Sequence, residues 1–220
     1  MIEYKWPLLK AADQLELPSF PSMVRHFLYD QLYPNSVIPS SELSIHALPE
    51  FYGKVSIFYN ATATFRAPSD FSGIRSMRRE YIRATPAWRN GRPRYDMVFL
   101  NSDPSQEGMR GLEVARVMIF FSFVHEGKQY PCALIHWFSR IGEEPDEDTG
   151  LWVVKPEFYD NGKPHIAIIH VDTICRAAHL IPVYPSQFIR RSLTMHDTLD
   201  VFREFYVNKF VDYHAFQIAS

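Results

Sequence analysis

The segment Val114–Val124 carries a single charged side chain, Arg116, and runs into His125-Glu126-Gly127-Lys128 and then a second apolar stretch, Tyr130–Phe138. Two strand-length apolar runs joined by a short glycine-containing turn predict a β-hairpin. Other strand-like segments surround it. Val55–Phe65 is rich in aromatic and β-branched residues, which favour extended backbone. Tyr95–Leu100, Leu151–Val154, Ile166–Val171 and Leu180–Tyr184 add strand-sized pieces, and Asp160-Asn161-Gly162 marks a turn between two of them. Pro131 is compatible with a strand start or an edge. Sequential strands with short connections predict a small, barrel-like antiparallel β-meander.

Helices are expected at the two ends. Pro7 suits a first helical turn, Leu8, Ala12 and Leu15 share a stripe, and Pro18 ends it. Phe20, Met23, Val24, Phe27, Leu28 and Leu32 then recur at amphipathic-helix spacing, with Pro21 near the start. Near the other end Leu199, Phe202, Tyr206, Phe210 and Tyr213 read as a helical stripe, with Asp197 as its N-cap. A further helical turn is expected around Thr173–Ala177. Residues 66–94 read as an irregular or partly helical connection. The fold class is thus α+β: an N-terminal helical pair, a barrel-like meander and a C-terminal helix. Residues 1–50 form a helical segment and its Ser/Pro-rich linker (Asn35–Glu50), and residues 51–220 the main domain.

Composition narrows the function. Hydrophobic residues make up 46% of the chain, too many for a disordered protein. A net charge of −2 excludes a globally basic nucleic-acid binder, so any electrostatic interface is a local patch. The N-terminus lacks the basic and apolar regions of a secretory signal, and no apolar run approaches the roughly 20 residues a membrane helix needs. An intracellular protein is expected, with no membrane partner. Cys132 and Cys175, both in apolar surroundings, are expected as buried free thiols, and the sequon at Asn60 carries no meaning without secretion.

A local patch stands out. Residues 73–94 hold seven arginines, Arg75, Arg78, Arg79, Arg83, Arg89, Arg92 and Arg94, against one acid, Glu80. Tyr81 and Trp88 lie among them, so phosphate contacts and base stacking are chemically matched. The candidate nucleic-acid-binding set is therefore these arginines with Trp88. The competing reading pairs the arginines with acids of the domain or lays them over the barrel. Residues 143–148, Glu-Glu-Pro-Asp-Glu-Asp, lack the spacing of a calcium loop and are expected as a solvated turn, or one docked on the arginine segment or a basic partner.

Catalytic motifs are sparse. His170-Val171-Asp172 has the His-x-Asp spacing of iron(II) oxygenases, with His214 or His196 as a third ligand. Asp96, Asp103 and Asp172 are the alternative acidic set for two-metal nuclease chemistry. Cys132 and His136 fall on one strand face by pleat alone. A non-enzyme without metal or cofactor is expected. A metal-dependent enzyme and a purely structural domain stand as alternatives.

Phe65-Arg-Ala-Pro-Ser-Asp70, Met77-Arg-Arg-Glu80, Arg94-Tyr-Asp96, Met109 through Val117, His136-Trp-Phe-Ser-Arg140, Pro145 through Gly150, Asp172 through Val183 and Phe205 through Phe210 resemble a segment of basidiomycete fungal transposon proteins. These include transposases of the Plavaka group and their relatives in the KDZ class. The resemblance spans about Phe51 to the C-terminus and implies a transposon-derived C-terminal domain, with the catalytic carboxylates upstream of it. This chain would then be a fragment or degenerate copy of a longer protein. Tyr95–Val183 is also similar to a bromo-adjacent-homology (BAH) module, a β-barrel that binds partners in chromatin. Together these imply a nuclear protein contacting DNA or a chromatin protein.

Overall fold

The computed structural model describes residues 4–68, 75–88, 91–184, 192–194 and 197–220. In chain order its strands are β1 (Tyr4–Pro7), β2 (Lys54–Phe58), β3 (Asn60–Arg66), β4 (Met77–Trp88), β5 (Arg92–Tyr95), β6 (Met97–Asn101), β7 (Leu112–His125), β8 (Lys128–Ile141), β9 (Val153–Pro156), β10 (Ile166–His170), β11 (Ile174–Ala178), β12 (Leu180–Pro182) and β13 (Phe205–Val207). The helices are α1 (Leu8–Gln14), α2 (Phe20–Leu32), α3 (Thr198–Val201) and α4 (Tyr213–Ile218).

The long β7–β8 hairpin is the spine. Its two-residue turn has Glu126 at φ 50° and Gly127 at φ 78°, and two positive φ values are what matches a tight hairpin turn to the twist of its strands. Each half of the spine has its own neighbours. Toward the turn, β2 pairs with Phe120–Phe123 and β10 with Cys132–His136; toward the base, β6 pairs with Leu112–Arg116 and β9 with Phe138–Ile141. Beyond these, β1 extends from β2, β11 from β6, and β13 with β12 from β9. All pairings are antiparallel, and the sheet curls into a half-barrel. The run β6 to β9 follows chain order, as do the pairs β1–β2 and β12–β13, but β2 pairs with β7, β10 with β8, β11 with β6 and β13 with β9, so the expected simple meander holds for the β6–β9 run and is broken around it.

Between Val117 and Ile119 the β7 register slips against β8. This bulge at Met118 inverts the pleat. Leu112 and Val114 therefore share a face with Ile119, Phe121 and Phe123, while Ala115, Val117 and Phe120 face the other way. The first face is covered near the turn by the N-terminal helices. Phe20, Val24, Phe27 and Leu28 of α2 are buried against Phe121, Phe123 and Tyr130, each worth about 1.5–3 kcal/mol. Phe20 meets Phe121 edge to face at 5.1 Å. The segment Asn35–Glu50, read from the sequence as a linker, lies along α2. Arg25 donates to the carbonyls of Ile45, Leu48 and Pro49 at 2.7–2.8 Å.

Three expectations are corrected. The connection over 66–94 contains two strands, β4 and β5, which with β3 form a second, three-stranded sheet. Strands β2 and β3 meet at a bend at Tyr59, and β5 and β6 at Asp96, with Ala84 N–H donating to Tyr59 O and Val117 N–H to Asp96 O. The turn expected at Thr173–Ala177 is a 3-10 turn at Val171–Thr173 followed directly by β11. The C-terminal stripe from Leu199 to Tyr213 is not one helix. It breaks into one-turn α3, β13, a 3-10 turn and α4, because Phe205 and Val207 are buried as strand residues. Asp197 stands before α3 without capping it, its carboxylate accepting instead from Thr194 N–H and Oγ1–H.

The last turn, α4, is anchored by charge. Arg176 is buried on β11 and donates to both Asp212 oxygens at 2.8 and 2.7 Å and to Glu80 of β4 at 3.3 Å. Asp212 also caps α4 by accepting from Ala215 N–H, and Glu80 accepts from Ala177 N–H at 2.6 Å. Beneath the guanidinium lies the Phe65 ring at 4.7 Å, with His214 stacked on that ring at 4.6 Å. A buried cation is tolerable only when paired and hydrogen-bonded in this way.

Candidate nucleic-acid interface

Strand alternation decides what the arginine run can do. Along β4, Arg78, Glu80, Ile82 and Ala84 point toward the main sheet, with Ile82 and Ala84 fully buried. Met77, Arg79, Tyr81 and Arg83 point away from it. Register then adds their partners across β3, since paired residues share a face: Arg66 lies opposite Met77, Thr64 opposite Arg79, Thr62 opposite Tyr81 and Asn60 opposite Arg83. The result is an outward sheet face with Tyr81 at 55% exposure and arginines on either side along its own strand.

Trp88 closes one end of this face. The Arg83 guanidinium carbon lies 4.6 Å and that of Arg94 5.6 Å from its ring centroid. Asp96 holds the Arg94 guanidinium, accepting from its Nε at 2.7 Å, and fixes the Arg83 backbone by accepting from its N–H at 2.8 Å. Stacked, tethered guanidinium groups lose less freedom on meeting a phosphate than free ones do.

The candidate set therefore divides. Arg79, Arg83, Arg94 and Trp88 gather on the outer face. Arg78 faces inward, where its charge acts on Asp212 and His214. Arg75 sits in the turn before β4 with φ 54°. Arg92 reaches toward Asp197 at 3.7 Å, and Arg89 lies outside the described residues. Sequence reasoning missed Arg66, whose signal was its place at the end of the Val55–Phe65 strand pattern.

The other constellations resolve into local roles. His170 Nδ1 accepts from Asp172 N–H at 3.3 Å, and His214 is engaged by Phe65 and Arg176; His196 lies outside the described residues. Asp96 serves the β5–β6 bend, and Asp103 accepts from Ser105 N–H and Oγ–H. Among the described residues no three His, Cys, Asp or Glu side chains gather to hold a metal. In the acidic turn, Glu144 pairs with Arg110 at 2.8 Å and Asp146 accepts from Thr149. Cys132 and His136 are four residues apart on β8, about 13 Å at strand rise. His136 Nε2–H donates to the Glu157 carbonyl at 2.7 Å, and burial pushes its pKa down, keeping it neutral. Both thiols are free, Cys132 buried and Cys175, contrary to expectation, only half-buried.

No family model matches the chain, and neither a curated protein nor a solved structure matches it.

Proposed function

We propose that this domain is a non-catalytic nucleic-acid-binding module, of transposon origin, that holds single-stranded DNA on the outer face of β3–β4–β5. The observation that carries the reading is Tyr81, exposed in mid-strand with Arg79 and Arg83 on the same face. An aromatic ring on an open sheet, flanked by cations, matches what successive bases and phosphates need: a stacking surface and charge at the spacing of the backbone. The same proposal takes the half-barrel as BAH- or SH3-like, a scaffold holding that face rigid, and places the protein in the nucleus with its DNA.

The test is fluorescence anisotropy with a labelled oligothymidine and a duplex of equal length. With about four phosphate contacts, log affinity for the single strand falls against log salt with a slope near −2.8. Tyr81→Ala weakens single-strand binding by about 1–3 kcal/mol while leaving the fold intact. Absence of binding to either DNA at low salt overturns the proposal. Binding that ignores Tyr81, Arg79 and Arg83 moves the contact elsewhere, and capture of a chromatin protein through this face in place of DNA assigns the face to protein docking.

A further inference from the structure

Away from the outward face of Tyr81 and its arginines, a cleft opens beside Arg116; Ala84 and Pro86 of β4 and Tyr95 of β5 also contribute to it. Where the Met118 bulge separates the two cores of the covered β7–β8 face, the cleft, of about 1580 Å³, lies between the α1–α2 connection and α3. It exceeds the roughly 300–1,000 Å³ filled by drug-sized ligands. Its walls are mostly apolar and aromatic, with Trp6, Met118, Phe158 and Phe202 among them, and Lys155 and Arg203 also line it.

Of the four cations that line it, Arg116, Lys155, Lys163 and Arg203, Arg116 is held deepest by the sheet. Arg116, directly across the ladder from His136, has a side chain only 13% exposed, and its guanidinium carbon lies 5.4 Å from the Tyr95 ring centroid. Its terminal nitrogens are taken by the carboxylate of Asp200 on α3, the second contact at 3.4 Å. The Nε has no hydrogen-bond partner among the described residues, so Asp200 alone leaves the guanidinium incompletely paired. Asp200 is itself 60% exposed on a one-turn helix whose Leu199 and Val201 also line the cleft.

We propose that this cleft binds an amphipathic monocarboxylate, a single carboxylate on an apolar skeleton, with Arg116 as its anchor and Asp200 as the displaceable internal carboxylate. Arg116 selects the charge, because a guanidinium fork matches a carboxylate in two-pronged fashion. The apolar and aromatic walls take the skeleton, and the neutral His136 adds no competing charge. Asp200 holds Arg116 paired when no ligand is present, which removes the cost of a lone buried cation.

Isothermal titration with 2-naphthoate, against naphthalene-2-carboxamide as the uncharged isostere, tests this. The expected result is saturable binding at one site per chain, with the amide at least about tenfold weaker, the size of one charge-assisted contact. Arg116→Gln brings the acid down to the level of the amide. Asp200→Asn, which removes the competing carboxylate and keeps the helix, tightens the acid severalfold and leaves the amide unchanged. The proposal is overturned if neither wild type nor Asp200→Asn binds the acid up to about 1 mM, or if acid and amide bind alike. It is equally overturned if Asp200→Asn weakens the acid. The acid–amide comparison and Asp200→Asn decide the matter even if Arg116→Gln does not fold.

Discussion

Arg176 and Asp212, thirty-six positions apart, meet in a two-pronged contact at 2.8 and 2.7 Å that ties α4 to the sheet. The guanidinium holds the Asp212 carboxyl at about 2, well below its usual range.

Removing that carboxylate leaves a buried arginine with Glu80 as its one carboxylate partner among the described residues, beside the His214 ring. Asp212→Ala is expected to cost about 3 kcal/mol, the low end for breaking a buried pair, because Glu80 still accepts. The urea midpoint measures it. A depressed carboxyl pKa stabilises the fold fully above roughly pH 4 and loses that contribution as pH falls toward about 2. Wild type should therefore lose on the order of 1–2 kcal/mol across this window once solvent screening is allowed for, and Asp212→Asn should not.

Histidines act at milder pH. Burial lowers the pKa of His136, beside Arg116, His165 and Glu157, and of His214, beside Arg176, Asp212 and Arg78. The unfolded chain then takes up protons that the folded chain refuses, so stability is full above about pH 6.5 and declines below it. Urea unfolding of wild type at pH 7.5 and 5.5 should show the decline, and His136→Phe should reduce it.

Opposite orientations on β4 separate neighbouring arginines. Arg79→Gln and Arg83→Gln should each flatten the salt dependence of DNA binding by about 0.7 with little change in melting temperature. Arg78→Gln should leave the salt slope unaltered. Equal effects of all three on the slope would contradict the assignment of faces.

Core substitutions should follow burial. Phe121, 1% exposed and edge-on to Phe20, is expected to cost about 3–5 kcal/mol on truncation to Ala. Trp137 on β8 and Ile168 on β10 are only partly buried, although both lie in apolar strands. Trp137→Ala should cost less than Phe121→Ala in guanidinium unfolding.

Thiol chemistry should report the same burial. Desolvation pushes the pKa of both Cys132 and Cys175 up, Cys132 far more, and a thiol reacts as its thiolate. An aromatic disulfide reagent at pH 8 should modify Cys175 slowly and Cys132 only after unfolding, giving two equivalents in denaturant.

What the sequence alone determined was local. The β7–β8 hairpin, its turn and the α1–α2 pair were legible because pleat and helix periods were written in uninterrupted apolar residues. The β4 strand was hidden because its inward positions begin with Arg78 and Glu80, charged residues whose partners on β11 and before α4 lie 96 or more positions away. The C-terminal stripe misled for the same reason. Its spacing suited a helix, but pairing of β13 with β9 and β12 outweighed local preference. Composition showed that the arginines were concentrated, and only strand register decided which of them share a face with Tyr81. The cleft at Arg116 was invisible in the chain because its walls come from stretches scattered between Trp6 and Arg203, beside a one-residue slip at Met118. Alternation along a strand is a property of neighbours in sequence, whereas the placement of a bulge, a buried charge or a cleft depends on which distant residues complete it.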